Sequence, residues 1–289
     1  RLWRGVFLSC SIHWNSWLLV LAAAGRGRPS LERSGVMPDQ QLETRIGMDL
    51  ARRAYLYSIL HAVFGGDCSP DFATKLFGAQ TREMLAGEVA VISDGDLPID
   101  AAHILDKMDC SLDDCAKGAL TCCDEHLDPS SDAAVALASE MEGDYAKLFQ
   151  IPGEQYVHLW ESPYVGTEQT LFQCSTLDVR AAYHAAGLKL QAEKQFPDDH
   201  IAAMLEYLSF MGSRAYEAYA DGHDSKCRNA LRDSKAFLEA HVLTWVNAFA
   251  QKVIEKDDRG LYAAFAQGLV MVSHIDAVQL DWLMGHIGE

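Results

Sequence analysis

Between Pro197 and Met211, the apolar residues Ile201, Met204, Leu205, Leu208 and Met211 recur at the three- and four-residue spacing of one helix face. Pro197 disfavours helical geometry at Phe196, so the helix begins after it. Asp198 or Asp199 is the expected cap, accepting from free N–H groups of the first turn at the positive end of the dipole. With the apolar face turned inward, Asp199 and His200 are expected to face out at the helix mouth. A capped helix with an incidental histidine is the simpler reading of the same residues. Such helix-period patterns dominate the chain and no strand pair is visible, which predicts an all-α domain.

Other stretches repeat the pattern. Ile46, Leu50, Ala54, Tyr57, Leu60 and Phe64 share a face over 43–64, and Gly65-Gly66 supplies a stop. Arg52-Arg53 in this helix reads as a solvated pair. Ser69-Pro70 starts the next helix, with serine as cap and proline at the first position. Val89 to Ile92 is the nearest approach to a strand, and Ser93 to Pro98 is a turn. Two or three short helices follow, to about His126. The break Asp128–Asp132 precedes a helix over 133–149 that carries Val135, Leu137, Met141, Tyr145, Leu148 and Phe149. The irregular stretch 150–170 is long for a compact domain, which points to function, and Trp160 and Tyr164 are lids or contacts there. A short helix over 177–186 closes at Gly187. Ser225 or Asp224 caps the next segment, one amphipathic helix is expected over 231–254, and Asp257-Asp258 opens the last.

Net charge is −17 over 289 residues, unevenly spread. Residues 1–36 hold five Arg and one Glu, so the remaining 253 residues carry −21. That acidity argues against nucleic acid and suits a basic peptide. Residues 1–36 fit a signal peptide, a membrane span or translated upstream sequence. The compositional change at Met37 favours the third, which leaves 37–289 as the folded body. Eight cysteines occur, and no Cys-x-x-Cys pair is among them. Cys110, Cys115, Cys122 and Cys123 are the one cluster, but the tighter paired spacing usual for metal ligands is missing. Reduced packing thiols are therefore expected, with no metal. No phosphate loop, His-Glu-x-x-His or Gly-x-Ser-x-Gly occurs, which shifts the weight from enzyme to binding protein.

Pro197-Asp198-Asp199-His200 followed by Met204-Leu205-Glu206-Tyr207-Leu208-Ser209 resembles the TorD/DmsD/NarJ family. Three further stretches match in order: Asp144-Tyr145 with Leu148-Phe149 and Pro152-Gly153; Glu161-Ser162-Pro163-Tyr164; and Phe237-Leu238, His241, Trp245-Val246 and Phe249. The matches span 144–250, and 88–130 departs from the family's pattern. The resemblance implies a single compact all-α domain. It also implies dimers that exchange halves across a hinge, for which Asp128–Asp132 is the candidate.

The function so implied is a cytoplasmic maturation chaperone without enzymatic activity or cofactor of its own. It would bind the twin-arginine signal peptide of a molybdopterin oxidoreductase and hold the apoenzyme for cofactor insertion. A groove between helices can bury the apolar core of such a signal, and carboxylates can pair with its arginines. Pro197, Asp199, His200 and Glu206 are the residues carried over for signal-peptide binding. Asp144, Tyr145, Trp160, Tyr164, His241 and Trp245 are secondary candidates. The alternatives are an assembly factor for a non-exported nitrate reductase-type subunit, and a nucleotide hydrolase.

Overall fold

A computed structural model describes residues 38–90, 99–116, 128–166, 174–190 and 197–288. Eleven α-helices occur among them, and no strand; the all-α expectation holds. They are α1 (Pro38–Gly65), α2 (Pro70–Phe77), α3 (Ala79–Val89), α4 (Ala101–Ala116), α5 (Asp132–Tyr145), α6 (Ser162–Val165), α7 (Cys174–Ala185), α8 (Ile201–Ala220), α9 (Asp224–His241), α10 (Val246–Lys256) and α11 (Leu261–His286). The expected leader 1–36, the turn 93–98 and the side chains of Cys115, Cys122, Cys123 and Cys174 lie outside the described residues.

Helices α1 and α8 pair along most of their length, and α9 packs on α8. Gly212 lets α8 approach α1 closely: a β-carbon there would lie 3.0 Å from the Ala54 Cβ. Helix α11 is long and apolar enough to cross a membrane by length and composition, but it is mostly buried here, against α10, α4, α9 and α1. The six α1 residues that share a face by sequence are all buried. Gly66 ends α1 at φ +75, and the Tyr145 ring lies where any β-carbon would go. Ser69 and Ser131 cap α2 and α5 with their hydroxyls, as the local patterns predict.

Several expectations are corrected. Arg52-Arg53 is not a solvated pair. Arg53 is fully buried, and its Nε donates to Asp276 at 2.7 Å; Arg52 Nη1 donates to Asp49 at 2.9 Å. Charge patterning misses this because Asp276 stands 223 residues away. The helix expected over 231–254 breaks at 242–245. Trp245 Nε1 turns back to the His241 carbonyl at 2.6 Å, and apolar residues on both sides face one core, so their periodicity runs through the corner. Helix α5 ends at Tyr145 and continues as one π-helical turn, Ala146–Gln150. Val89 closes α3 rather than starting a strand, and 101–116 is one helix. Neither Asp224 nor Ser225 caps α9; His223 occupies that position without a side-chain bond.

Candidate functional site

The loop 150–166 folds back over the start of α8. Glu161 N–H donates to the Asp199 carbonyl at 3.0 Å and Ile201 N–H to the Leu159 carbonyl at 2.8 Å, which sets Trp160 and His200 side by side as an antiparallel bridge. Pro197 is buried beneath this junction.

Asp199 and His200 do not face out. Asp199 is 0% exposed and His200 6%. Asp199 Oδ2 accepts from the Ser162 N–H at 2.8 Å and from the Ser162 hydroxyl, and Oδ1 accepts from the Thr176 hydroxyl at 3.1 Å. The carboxylate thus ties α6, α7 and the entry to α8 together. Neither aspartate caps α8. Asp198 instead receives the Arg180 guanidinium, and His200 is the cap, its Nδ1 accepting from Ala202 N–H at 3.2 Å. Its ring stands edge-on to Trp160, centroids 5.1 Å apart. Burial, reinforced by neighbouring His61, pushes the imidazole down to about 3, so it stays neutral at physiological pH. Burial beneath loop 150–166 is a tertiary event, invisible to the helical pattern that put these residues at an open mouth.

Glu161 and His241 join the loop to the α9–α10 corner, Oε2 to Nδ1 at 3.3 Å. Burial raises the Glu161 carboxyl, and His241 opposes that rise. Tyr164 lies against Trp245, centroids 5.0 Å apart, donates to the His158 carbonyl at 2.9 Å, and carries Lys252 Nζ 4.4 Å from its ring centre. Trp245 is buried, whereas Tyr164 and His241 are half-buried. Glu206 is half-buried on α8, close enough to the Tyr183 hydroxyl to raise it electrostatically.

Asp144 and Tyr145 belong to a different contact. Asp144 pairs with Arg259 at 3.2 Å, and Tyr145 donates to the Phe64 carbonyl at 2.9 Å, between α5 and α1. An aromatic chain from Tyr145 through Phe149, Phe249 and Trp245 to Tyr164 links the two regions. Ser162, Thr176 and Arg180 were not singled out as site residues from sequence; the Glu-Ser-x-Tyr stretch was the signal for Ser162. Thr176 and Arg180 carry no motif.

The Asp199 carboxylate and the hydroxyls of Ser162 and Thr176 brace this junction. The fold and site define an all-α protein whose acidic body presents a braced loop. A family model described as nitrate reductase delta subunit matches residues 111–251, which contain the whole junction. The TorD chaperone protein of Vibrio cholerae serotype O1 is 25% identical over 234 residues, 81% of this chain and 94% of the relative. That of Photobacterium profundum is 29% identical over 141 residues, 49% and 64% of the two chains. The chain is thus similar to chaperones named TorD and, over 111–251, to the nitrate reductase delta subunit family.

Proposed function

We propose that this chain is the maturation chaperone of a molybdopterin-containing oxidoreductase and binds that client's twin-arginine signal peptide in the cytoplasm before export. The observation that carries the reading is the Glu161–Tyr164 turn, braced by Asp199 inside the family-matched segment of a body with charge −21. In this reading Pro197, Asp199 and His200 are positioning residues. The contacts to the peptide come from half-buried groups around them: Glu206, Tyr164 and His241. A carboxylate meeting a peptide arginine forms a charge-assisted pair, and the apolar core of the signal lies in a groove between helices. A dimer made by exchanging halves would pivot at 128–132, where Asp128 Oδ1 accepts from Ser130; light scattering reads that state.

Calorimetric titration with the twin-arginine signal peptide of a molybdopterin oxidoreductase from the same genome tests the function. The expected result is binding that weakens ten- to a hundred-fold, about 1.5–3 kcal/mol, when both peptide arginines become alanine. Absence of binding to the peptide, beside binding to the mature catalytic subunit alone, would replace this reading with the assembly-factor one.

A further inference from the structure

Helix α4 buries a smaller share of its described side chains than any other described helix of eight or more residues. Of its described side chains only Met108 and Leu112 are fully buried; Ala101, Ile104 and Leu105 are partly so. Helix α8, by comparison, buries twelve of twenty residues. The base on which α4 rests is also weak. Helix α3 buries only Thr81, Leu85 and Glu88, and neither carboxyl oxygen of Glu88 has a hydrogen-bond partner among the described residues. The ion pairs from α3 to α4 are those of Arg82 with Asp109 at 3.3 Å and Asp113 at 2.7 Å, both open to solvent, and exposed pairs of this kind contribute little.

Beneath α4 runs the most apolar helix of the fold. The two are antiparallel: Ser111 lies beside Gly260, and Met108 rests on Gly268, where a β-carbon would sit 2.6 Å from its sulfur. Gly268 is thus a notch, and Ala264, Met271, Val272 and Ile275 continue the same side of α11 at helical spacing, all buried. Removing α4 would uncover an apolar strip with a groove in it. From 106 to 114, α4 itself carries Asp106, Asp109, Asp113 and Asp114 against one lysine.

We propose that α4 is a displaceable cover, and that the strip of α11 around Gly268 takes the apolar core of the signal peptide as a helix in its place. This rests on the function proposed above. A uniformly apolar helix buries more surface on that strip than α4 does, and the released aspartates complement the basic head of the same peptide. The closed cover lowers the apparent affinity by the fraction of chains in which it is shut.

Hydrogen exchange on the full chain, with and without the peptide, is the test, beside titrations of Arg82→Ala and Arg82→Lys. In the free protein the α4 amides exchange at least ten-fold faster than those of α1 and α8, and peptide accelerates α4 further while protecting α11. Arg82→Ala loosens the cover and tightens peptide binding two- to five-fold, and Arg82→Lys restores the original affinity. If α4 exchanges only with global unfolding, or Arg82→Ala leaves affinity unchanged or weaker, the cover is refuted. Peptide that protects 158–166 with no effect on α4 or α11 keeps the function and overturns this proposal. Peptide that does not bind at all overturns both.

Discussion

At Asp199 a helix cap and a buried bracket make opposite predictions. A capping aspartate replaced by asparagine loses a fraction of about 1 kcal/mol. Here the carboxylate accepts three bonds from Ser162 and Thr176, and the amide of asparagine would turn a donor toward one of those donors. Asp199→Asn is therefore expected to cost about 1–3 kcal/mol of stability, read by denaturant unfolding. His200 adds a pH dependence. Its pKa is about 3 folded and near 6.5 unfolded, so its contribution is complete above about pH 6.5 and is lost as pH falls toward 3. In that window the stability slope from this group approaches about 1.4 kcal/mol per pH unit. His200→Asn keeps a capping acceptor without the titration and flattens the slope; an unchanged slope would place the imidazole in solvent. Arg53→Ala leaves Asp276 buried with the Tyr57 hydroxyl as its side-chain donor among the described residues, and a loss of about 3–5 kcal/mol is expected. Arg53→Met with Asp276→Leu removes both charges and recovers most of it.

At the scale of elements, α3 carries the opposite pH signature. Burial is the main cause that raises Glu88 to about 8, with Asp276 adding to the rise and Arg52, 3.9 Å away, opposing it. Its stabilising contribution is complete below about pH 4.5 and lost as pH rises toward 8. Thermal melts between pH 7 and 8, above the histidine window, should show stability falling with pH in the parent chain and a flatter profile in Glu88→Gln. The same residue explains why α3 is a poor anchor for α4. Helix α9 and α10 teach a different lesson. Phe237, Leu238, Val242, Trp245, Val246 and Phe249 are all buried, on both sides of the corner. A corner that keeps its apolar residues in register with one core leaves the period intact, and only the Trp245–His241 bond reveals it.

For the whole molecule, the acidity of the body has a measurable consequence. Pairing with a basic peptide across exposed carboxylates is screened by salt, with a Debye length of about 10 Å at 0.1 M and about 3 Å at 1 M. The proposed signal-peptide binding is thus expected to weaken as ionic strength rises, while its apolar part persists. Affinity independent of salt would assign recognition to the apolar core alone. Two of the three described cysteines are held as thiols: burial pushes Cys68 up to about 11 and Cys227 up to about 12, which keeps both in the unreactive form near neutral pH.

The sequence by itself determined the all-α class, because a helix's inward face repeats every three to four residues and every major repeat is present. It determined several helix starts and stops as well, since Ser69, Ser131, Gly66 and Gly187 act on their own neighbours through caps and left-handed backbone. Four ordered motifs also carried the family resemblance. What only the tertiary structure decided concerns residues whose partners are distant in the chain. Asp199 and His200 pass from an open mouth to a buried bracket because loop 150–166 closes over them, and Arg53 passes from surface to core because Asp276 meets it from α11. A local pattern reports which side of a helix is apolar; whether a polar residue beside it meets water or a partner depends on what packs there.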